Sequence, residues 1–252
     1  MSSSGLPTSV HQAVLDIDLG AIVANWRTLR SRHPSGDVAG VVKADAYGLG
    51  ADRVAPALHQ AGCRHFFVAY LEEAVSLRKS LPHGMLAVLS GLMPGTEDTY
   101  VALGLTPVLG SLDEIARWCA AGARLGRRLD AILHIDTGMA RLGLDMRELA
   151  VLAADHQRLD GLALRFVMTH LVSSEVPDDP LNAAQAVRFA AARASLPAAP
   201  ASLANSSGIF LGPTFGSDLA RPGAALYGIN PTPGLANPMC PVVVPRAPVL
   251  SV

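Results

Sequence analysis

Lysine occurs twice in this chain, at Lys43 and Lys79, against eighteen arginines. Lys43 ends the apolar run Val38-Ala39-Gly40-Val41-Val42 and opens Lys43-Ala44-Asp45-Ala46-Tyr47-Gly48-Leu49-Gly50. A chain that favours arginine elsewhere has a lysine at the end of a buried strand, which suggests a need for an amine that can lose its proton. Arginine cannot supply one; a desolvated lysine becomes a nucleophile or a general base. The plainer alternative is a strand-end lysine whose ammonium reaches water along its stem. Position alone leaves the two readings level.

Other chemistry-bearing residues recur at comparable places. Arg141 lies in His134-Ile135-Asp136-Thr137-Gly138-Met139-Ala140-Arg141-Leu142-Gly143, and His170 closes Met168-Thr169-His170. Asn205 and Ser206 follow Leu203-Ala204, and Arg221-Pro222-Gly223-Ala224 comes last. Each has an ordinary use: a core histidine, a surface arginine, a helix cap, a turn glycine. Together they cluster at or just beyond the ends of predicted strands, on one face of one fold. Glycine, serine and backbone amides near the seventh and eighth strands of a barrel are a usual phosphate site.

The elements that must position them are short apolar runs alternating with amphipathic segments. Strands are predicted at 38–43, 65–69, 85–90, 105–109, 130–136, 163–169, 200–204 and 224–229. Helical patterns cover 71–81, 111–125, 146–158 and 180–195, with a capping-box signature at Ser111 and Glu114. Eight buried strands alternating with helices predict an α/β fold, a parallel TIM (β/α)8 barrel; a doubly wound open sheet is the alternative. On this reading Arg221 and Gly223 reach the ligand face from the loop before the last strand. Residues 13–18 alternate apolar and acidic side chains, as a half-buried strand would, and a helical pattern follows from 19 to 32. The expected division is an N-terminal strand and helix at 1–34, the barrel at 35–238, and the start of a further β domain at 239–252. A proline-rich linker at 230–241 leads into that last segment.

Bulk properties narrow the function. The formal net charge is −1 over 252 residues, so no broad field argues for nucleic acid or an anionic membrane as partner. Cys63, Cys119 and Cys240 have no metal-ligand spacing, and an odd count suits a reducing, cytoplasmic setting. The first residues show no leader pattern, and no apolar run has membrane-spanning length. No metal cluster is evident.

The stretch Val42-Lys43-Ala44-Asp45-Ala46-Tyr47-Gly48-Leu49-Gly50 resembles the pyridoxal-phosphate attachment motif of the alanine racemase family. Asp136-Thr137-Gly138-Met139 with Arg141-Leu142-Gly143 resembles a second motif of that family. Thr169-His170, Asn205-Ser206 and Arg221-Pro222-Gly223 with Leu226-Tyr227-Gly228 follow in the family's order, and the resemblance runs from about Ala13 to the end. It implies racemisation of alanine, in supply of D-alanine for cell-wall precursors, with pyridoxal 5'-phosphate as cofactor. Lys43 would form the internal aldimine and act as base on one face. Tyr47, Asn205, Ser206, Gly223 and Ala224 would bind the cofactor, mostly at its phosphate, and His170 would stack on its ring. Arg221 would donate to the ring nitrogen, and Arg141 would meet the phenolic oxygen and the substrate carboxylate. The family forms homodimers.

Two departures stand out. Family members place a catalytic tyrosine in a second, mostly β domain, and none of Tyr47, Tyr70, Tyr100 and Tyr227 matches its motif. This polypeptide is therefore expected to bind the cofactor and racemise alanine slowly. Many members also carry at position 134 a lysine, modified to a carbamate that orients the arginine; His134 cannot form it. The alternative reading is a non-catalytic single-barrel pyridoxal-phosphate protein of cofactor homeostasis. A related D-amino-acid aldolase is disfavoured because it would need a metal cluster.

Overall fold

The structure, a computed structural model, describes residues 13–247. Residues 1–12, where no leader pattern is expected, and the last five residues of the expected β segment at 239–252 lie outside the described residues. In chain order the elements are β1 (Val14–Ile17), α1 (Leu19–Arg32), β2 (Asp37–Val38), β3 (Gly40–Val41), the short turn α2 (Lys43–Gly48), α3 (Ala51–Gln60), β4 (His65–Val68) and α4 (Leu71–Leu77). They continue with β5 (Met85–Val88), α5 (Glu97–Leu103), β6 (Thr106–Leu109), α6 (Leu112–Arg124), β7 (Leu129–His134), α7 (Met146–Ala154), β8 (Leu162–Met168) and α8 (Pro180–Ala194). The last are β9 (Ala201–Ser202), β10 (Leu219–Ala220) and β11 (Val243–Arg246).

Strands β3 to β9 form one parallel ladder in sequence order, and β10 pairs in parallel with β2. β2 and β3 are two halves of the first barrel strand, interrupted at Ala39, whose amide bonds to Ala220 O at 2.9 Å. Between β9 and β10, side chains take over much of the ladder's role. Asp218 Oδ2 accepts from Ala201 N at 2.6 Å, Ser217 Oγ accepts from Leu203 N at 3.1 Å, and Ser202 Oγ donates to Leu219 O at 2.7 Å. The barrel is thereby closed.

The period-two alternation of strands divides the core into two layers. Val41, Phe67, Ala87, Val108, Ile132 and Phe166 belong to a cluster that plugs the barrel interior. Val42, Phe66, Val68, Leu86 and Val88 point outward into the larger layer beneath the helices. Helix starts follow their caps: Asp18, Ser111, Asp145 and Asp179 each accept a backbone N–H of the first turn, and Pro180 occupies the first position of α8. Helix α1 buries Ile22, Trp26 and Leu29 in the same outer layer, packed against α3.

Two expectations need correction. Residues 224–229 are not the eighth strand: Ala224–Tyr227 is a 3₁₀ turn and the eighth strand is β10. Ala225, Leu226 and Tyr227 of this apolar run are buried, so hydrophobicity alone does not separate a strand from a tight turn. Arg221 and Gly223 accordingly follow their strand, as the other site residues do, and need no reach from a preceding loop. The N-terminal run does form β1, antiparallel to β11. It has no buried face, however; Val14, Leu15 and Ile17 are 53%, 51% and 37% exposed.

Candidate active site

The same alternation that fills the barrel places the site. Ala39 and Val41 face inward, so Lys43 is next in that register. Ile132 is followed by His134, Phe166 and Met168 by His170, and Leu219 by Arg221. These four form the rung above the apolar plug. With Tyr47, Arg141, Asn205, Ser206, Gly223 and Ala224 they line one cavity of about 260 Å³, floored by Val41, Phe67 and Met168. Every site residue expected from the sequence is brought together there, at the C-terminal ends of the strands.

Lys43 is carried on unusual backbone. Ala44, Asp45, Ala46 and Tyr47 have φ between 51° and 57°, a full turn of left-handed helix built from L-residues. Each such residue costs roughly 1–2 kcal/mol, so the surroundings must hold the turn. Ala46 is fully buried, Gly50 N bonds to Asp45 O at 2.9 Å, and Asp45 Oδ1 accepts from Ala51 N at 2.7 Å. The Tyr47 ring lies 4.8 Å from that of Tyr227, whose hydroxyl donates to Val41 O.

The loop bearing Arg141 is held by Asp136. Its carboxylate accepts from the amides of Gly138, Met139 and Ala140 at 2.9 to 3.1 Å. Leu144 N to His134 O and Asp136 N to Leu144 O close the loop. Gly143 is required there, because a Cβ would lie 2.8 Å from Asp136 N.

One end of the cavity suits an oxyanion. The amides of Gly223 and Ala225 converge on Ser206 Oγ at 3.0 and 3.2 Å, at the start of the Ala224–Tyr227 turn. A Cβ on Gly223 would stand 2.2 Å from the Tyr47 hydroxyl, so the cradle has room for glycine alone. Ala224 lines the cavity, but the converging amide is that of Ala225, which the sequence did not single out. Asn205 is engaged with protein: its Nδ2 donates to Leu171 O, and its Oδ1 accepts from Ser174 Oγ and Gly208 N. It ties together the loops after β8 and β9.

Arg221 is 4% exposed and donates to Ser202 Oγ and Thr169 O. Thr169 Oγ1 meets Thr137 Oγ1 at 2.8 Å, and fully buried Gln185 donates to Thr137 Oγ1 and to His170 O. Thr137 and Thr169 stand in the motifs without a role of their own, and Ser202 and Gln185 are not marked by the sequence at all, since their partners are distant in the chain. Burial lowers the Arg221 pKa to about 10, which leaves it charged at neutral pH. Burial, followed by the field of Arg221, drops His134 to about 4 and His170 to about 3. Both are therefore neutral imidazoles near pH 7. The cavity lining holds Lys43, Arg141 and Arg221 against one carboxylate, Glu175, so it favours an anionic ligand. Among the described residues, no group of three His, Cys, Asp or Glu side chains is placed to hold a metal ion, and no helix is long and apolar enough to cross a membrane.

Residues 17–231 match the family model of the alanine racemase N-terminal domain. The chain is 58% identical over 243 residues to an alanine racemase of Acidiphilium cryptum, covering 96% of this chain and 68% of that protein. It is 52% identical to one of Methylobacterium nodulans, covering 96% and 65%. It thus spans about two thirds of the length of these relatives. Among solved structures it is similar to alanine racemase from Bartonella henselae with covalently bound pyridoxal phosphate, at a TM-score of 0.91 and 40% identity, covering 95% of this chain and 70% of that one. By these matches and by the site they coincide with, the chain belongs to the alanine racemase family.

Proposed function

We propose that this chain carries the cofactor-binding barrel of a pyridoxal-phosphate-dependent alanine racemase, spanning residues 35–238, with alanine as substrate. The observation that carries the reading is the pairing, in one cavity, of a lysine amine with two backbone amides aimed at a single oxygen. A phosphate oxygen in the place of Ser206 Oγ would find both donors already directed, with the Tyr47 hydroxyl beside them.

Pyridoxal phosphate supplies the electron sink that makes the α-proton of an amino acid removable. The chain's residues would hold and orient it and serve one face of the substrate. Lys43 Nζ is the amine that would hold the cofactor and, when free, accept or return the α-proton on one face of the substrate. Neutral His170 offers an apolar flat surface to a ring without adding charge. Arg221, fixed by Ser202 and Thr169, would donate to the ring nitrogen. A guanidinium does not give up its proton, so that nitrogen would stay unprotonated, which restrains the sink and disfavours side reactions. Arg141, which has no ion pair among the described residues, would meet a substrate carboxylate, and Asp136 shapes the loop that presents it.

The test is reduction of the cofactor-treated protein with borohydride, followed by peptide mapping, and α-proton exchange of alanine in D₂O. A label on Lys43 and exchange into alanine are expected. A label on Lys79 overturns the assignment of Lys43; labelling of Lys43 without any exchange favours a cofactor-binding protein without turnover.

A further inference from the structure

Glutamates at the third position of three barrel helices make one recurring contact. Each accepts from an amide between the strand and the helix of its own unit and from an amide after the strand of the unit before, in a loop, a turn or the first residue of the helix. Glu114 of α6 takes Gly110 N at 2.6 Å and Leu92 N at 3.2 Å. Glu148 of α7 takes Asp145 N at 3.4 Å and Leu112 N at 3.0 Å. Glu73 of α4 takes Ala69 N at 2.6 Å and Tyr70 N at 3.1 Å through Oε2, and Ala44 N at 2.6 Å through Oε1. The three carboxylates staple neighbouring loops on the ligand face of the barrel.

The Glu73 staple differs in what it holds. Ala44 N–H belongs to the planar peptide that joins Lys43 to Ala44. Fixing that plane fixes ψ of Lys43, and hence the direction in which its side chain leaves the backbone. Ala44 is also the first of the four left-handed residues, so this bond pins the strained turn where it begins. A carboxylate accepting from N–H groups makes the stronger, shorter class of hydrogen bond, and two of the three here are 2.6 Å.

We propose that Glu73 is a positioning residue for Lys43: by bridging the end of β4 and the Lys43–Ala44 peptide, it aims the lysine amine into the cavity. The role rests on the reading of Lys43 as the cofactor-bearing amine. Glu73 itself is absent from the cavity lining and acts only through the turn. A residue that merely capped α4 would contribute to stability alone.

Glu114 supplies the control, because its staple is of the same kind and neither Leu92 nor Gly110 lines the cavity. Glu73→Gln, Glu73→Asp and Glu114→Gln are compared with the parent protein in two measurements. The first, in protein freed of cofactor, is the rate at which an amine-specific reagent labels Lys43 relative to Lys79, across pH. The second is the rate of cofactor attachment, together with visible circular dichroism per bound cofactor. Misplacement of a reacting group by about an ångström costs up to ~10²-fold. The Glu73 variants should therefore change the Lys43 to Lys79 labelling ratio and slow attachment by ~10-fold or more, with a weakened dichroic band. Glu114→Gln should lower the melting temperature similarly and leave the ratio, the rate and the band as in the parent. Glu73→Asp keeps the charge without the reach, and serves where Glu73→Gln fails to fold. Glu73 variants that match Glu114→Gln in both measurements overturn the proposal. A parent protein that attaches no cofactor at Lys43 overturns the functional reading instead, and the labelling ratio still decides whether Glu73 aims the lysine.

Discussion

Two loops deliver cations to the same cavity, and they are held in opposite ways. The Asp136–Gly143 loop carries Arg141 and supplies its own acceptor: the Asp136 carboxylate binds amides two to four positions further along. The Lys43–Gly48 turn carries Lys43 and borrows its acceptor from Glu73, 29 positions away on another strand–helix unit. Both contain non-glycine residues in the left-handed region, one in the Arg141 loop and four in the Lys43 turn. The short-range loop can take its shape before the barrel is complete. The lysine turn has bonds of its own through Asp45, but the amide that opens it, Ala44 N, finds its acceptor only once α4 has packed. Chemistry that needs an aimed nucleophile thus rests on the part of the site most dependent on the assembled fold.

The strongest way to break this comparison is to remove the amine while keeping the turn. Lys43→Arg preserves charge and approximate length, yet cannot form a covalent link with an aldehyde cofactor as lysine does. Covalent attachment should vanish, and alanine racemisation by the assembled enzyme should fall by at least ~10²–10⁴-fold, the range for a positioned acid or base. Thermal stability should change little. Retained borohydride labelling in Lys43→Arg would move the chemistry away from this turn.

A smaller effect is expected where the turn meets the oxyanion cradle. Gly223→Ala puts a methyl group 2.2 Å from the Tyr47 hydroxyl and 3.0 Å from its ring carbon. Tyr47 belongs to the left-handed turn, so it cannot withdraw freely. Overpacking of this kind costs about 1–3 kcal/mol, and cofactor affinity should fall by about tenfold or more, read by titration of the cofactor-free protein. An unchanged affinity would show that the turn is softer than its backbone angles imply.

Asp136→Ala tests the other loop. Three amides lose their acceptor where water can partly replace it, so stability should drop by about 1–2 kcal/mol. Arg141 should become less well placed, raising KM for alanine while cofactor affinity holds. Should cofactor affinity fall as far as substrate affinity, the two loops are not independent.

The sequence exposed the two loops unequally for the same physical reason. Asp136 and its amides are near neighbours, so the motif Asp136-Thr137-Gly138-Met139 is visible as a unit. The strand-end placing of Lys43 and His170 is likewise legible, whereas the inward register they share with His134 follows from the core residues below them. Arg221 was found as a residue but misplaced, because β10 is two residues long and the buried 3₁₀ turn after it reads as a strand. Glu73 reads as an ordinary residue of an amphipathic helix, and helices α3 and α5 fall outside the predicted helical patterns. Thr169, Ser202 and Gln185 look like any polar residue near a strand or on a helix. Their roles depend on partners 15 to 52 positions away, which local pattern does not reveal.

The subtlest test uses protons. His134 and His170 have folded-state pKa values near 4 and 3, against an ordinary 6.5. Between those values the unfolded chain binds protons that the folded protein refuses, so stability must fall with acidification through that window. The stabilising contribution is complete above about pH 6.5 and is lost as pH drops towards 4 for His134 and towards 3 for His170. Each histidine contributes a slope of at most about 1.4 kcal/mol per pH unit. His134 is influenced by Asp136 and Arg141, whereas His170 also feels Lys43. His134→Asn should therefore reduce the slope between pH 6.5 and 4 by the share of His134 alone, leaving that of His170 and those of His33, His59 and His65, which burial also lowers. His170→Asn should leave the His134 part of that slope and add a change in cofactor affinity. Chemical denaturation across this range separates the two, and a parent profile flat from pH 7 to 4.5 would mean that one or both imidazoles meet water more freely than the structure places them.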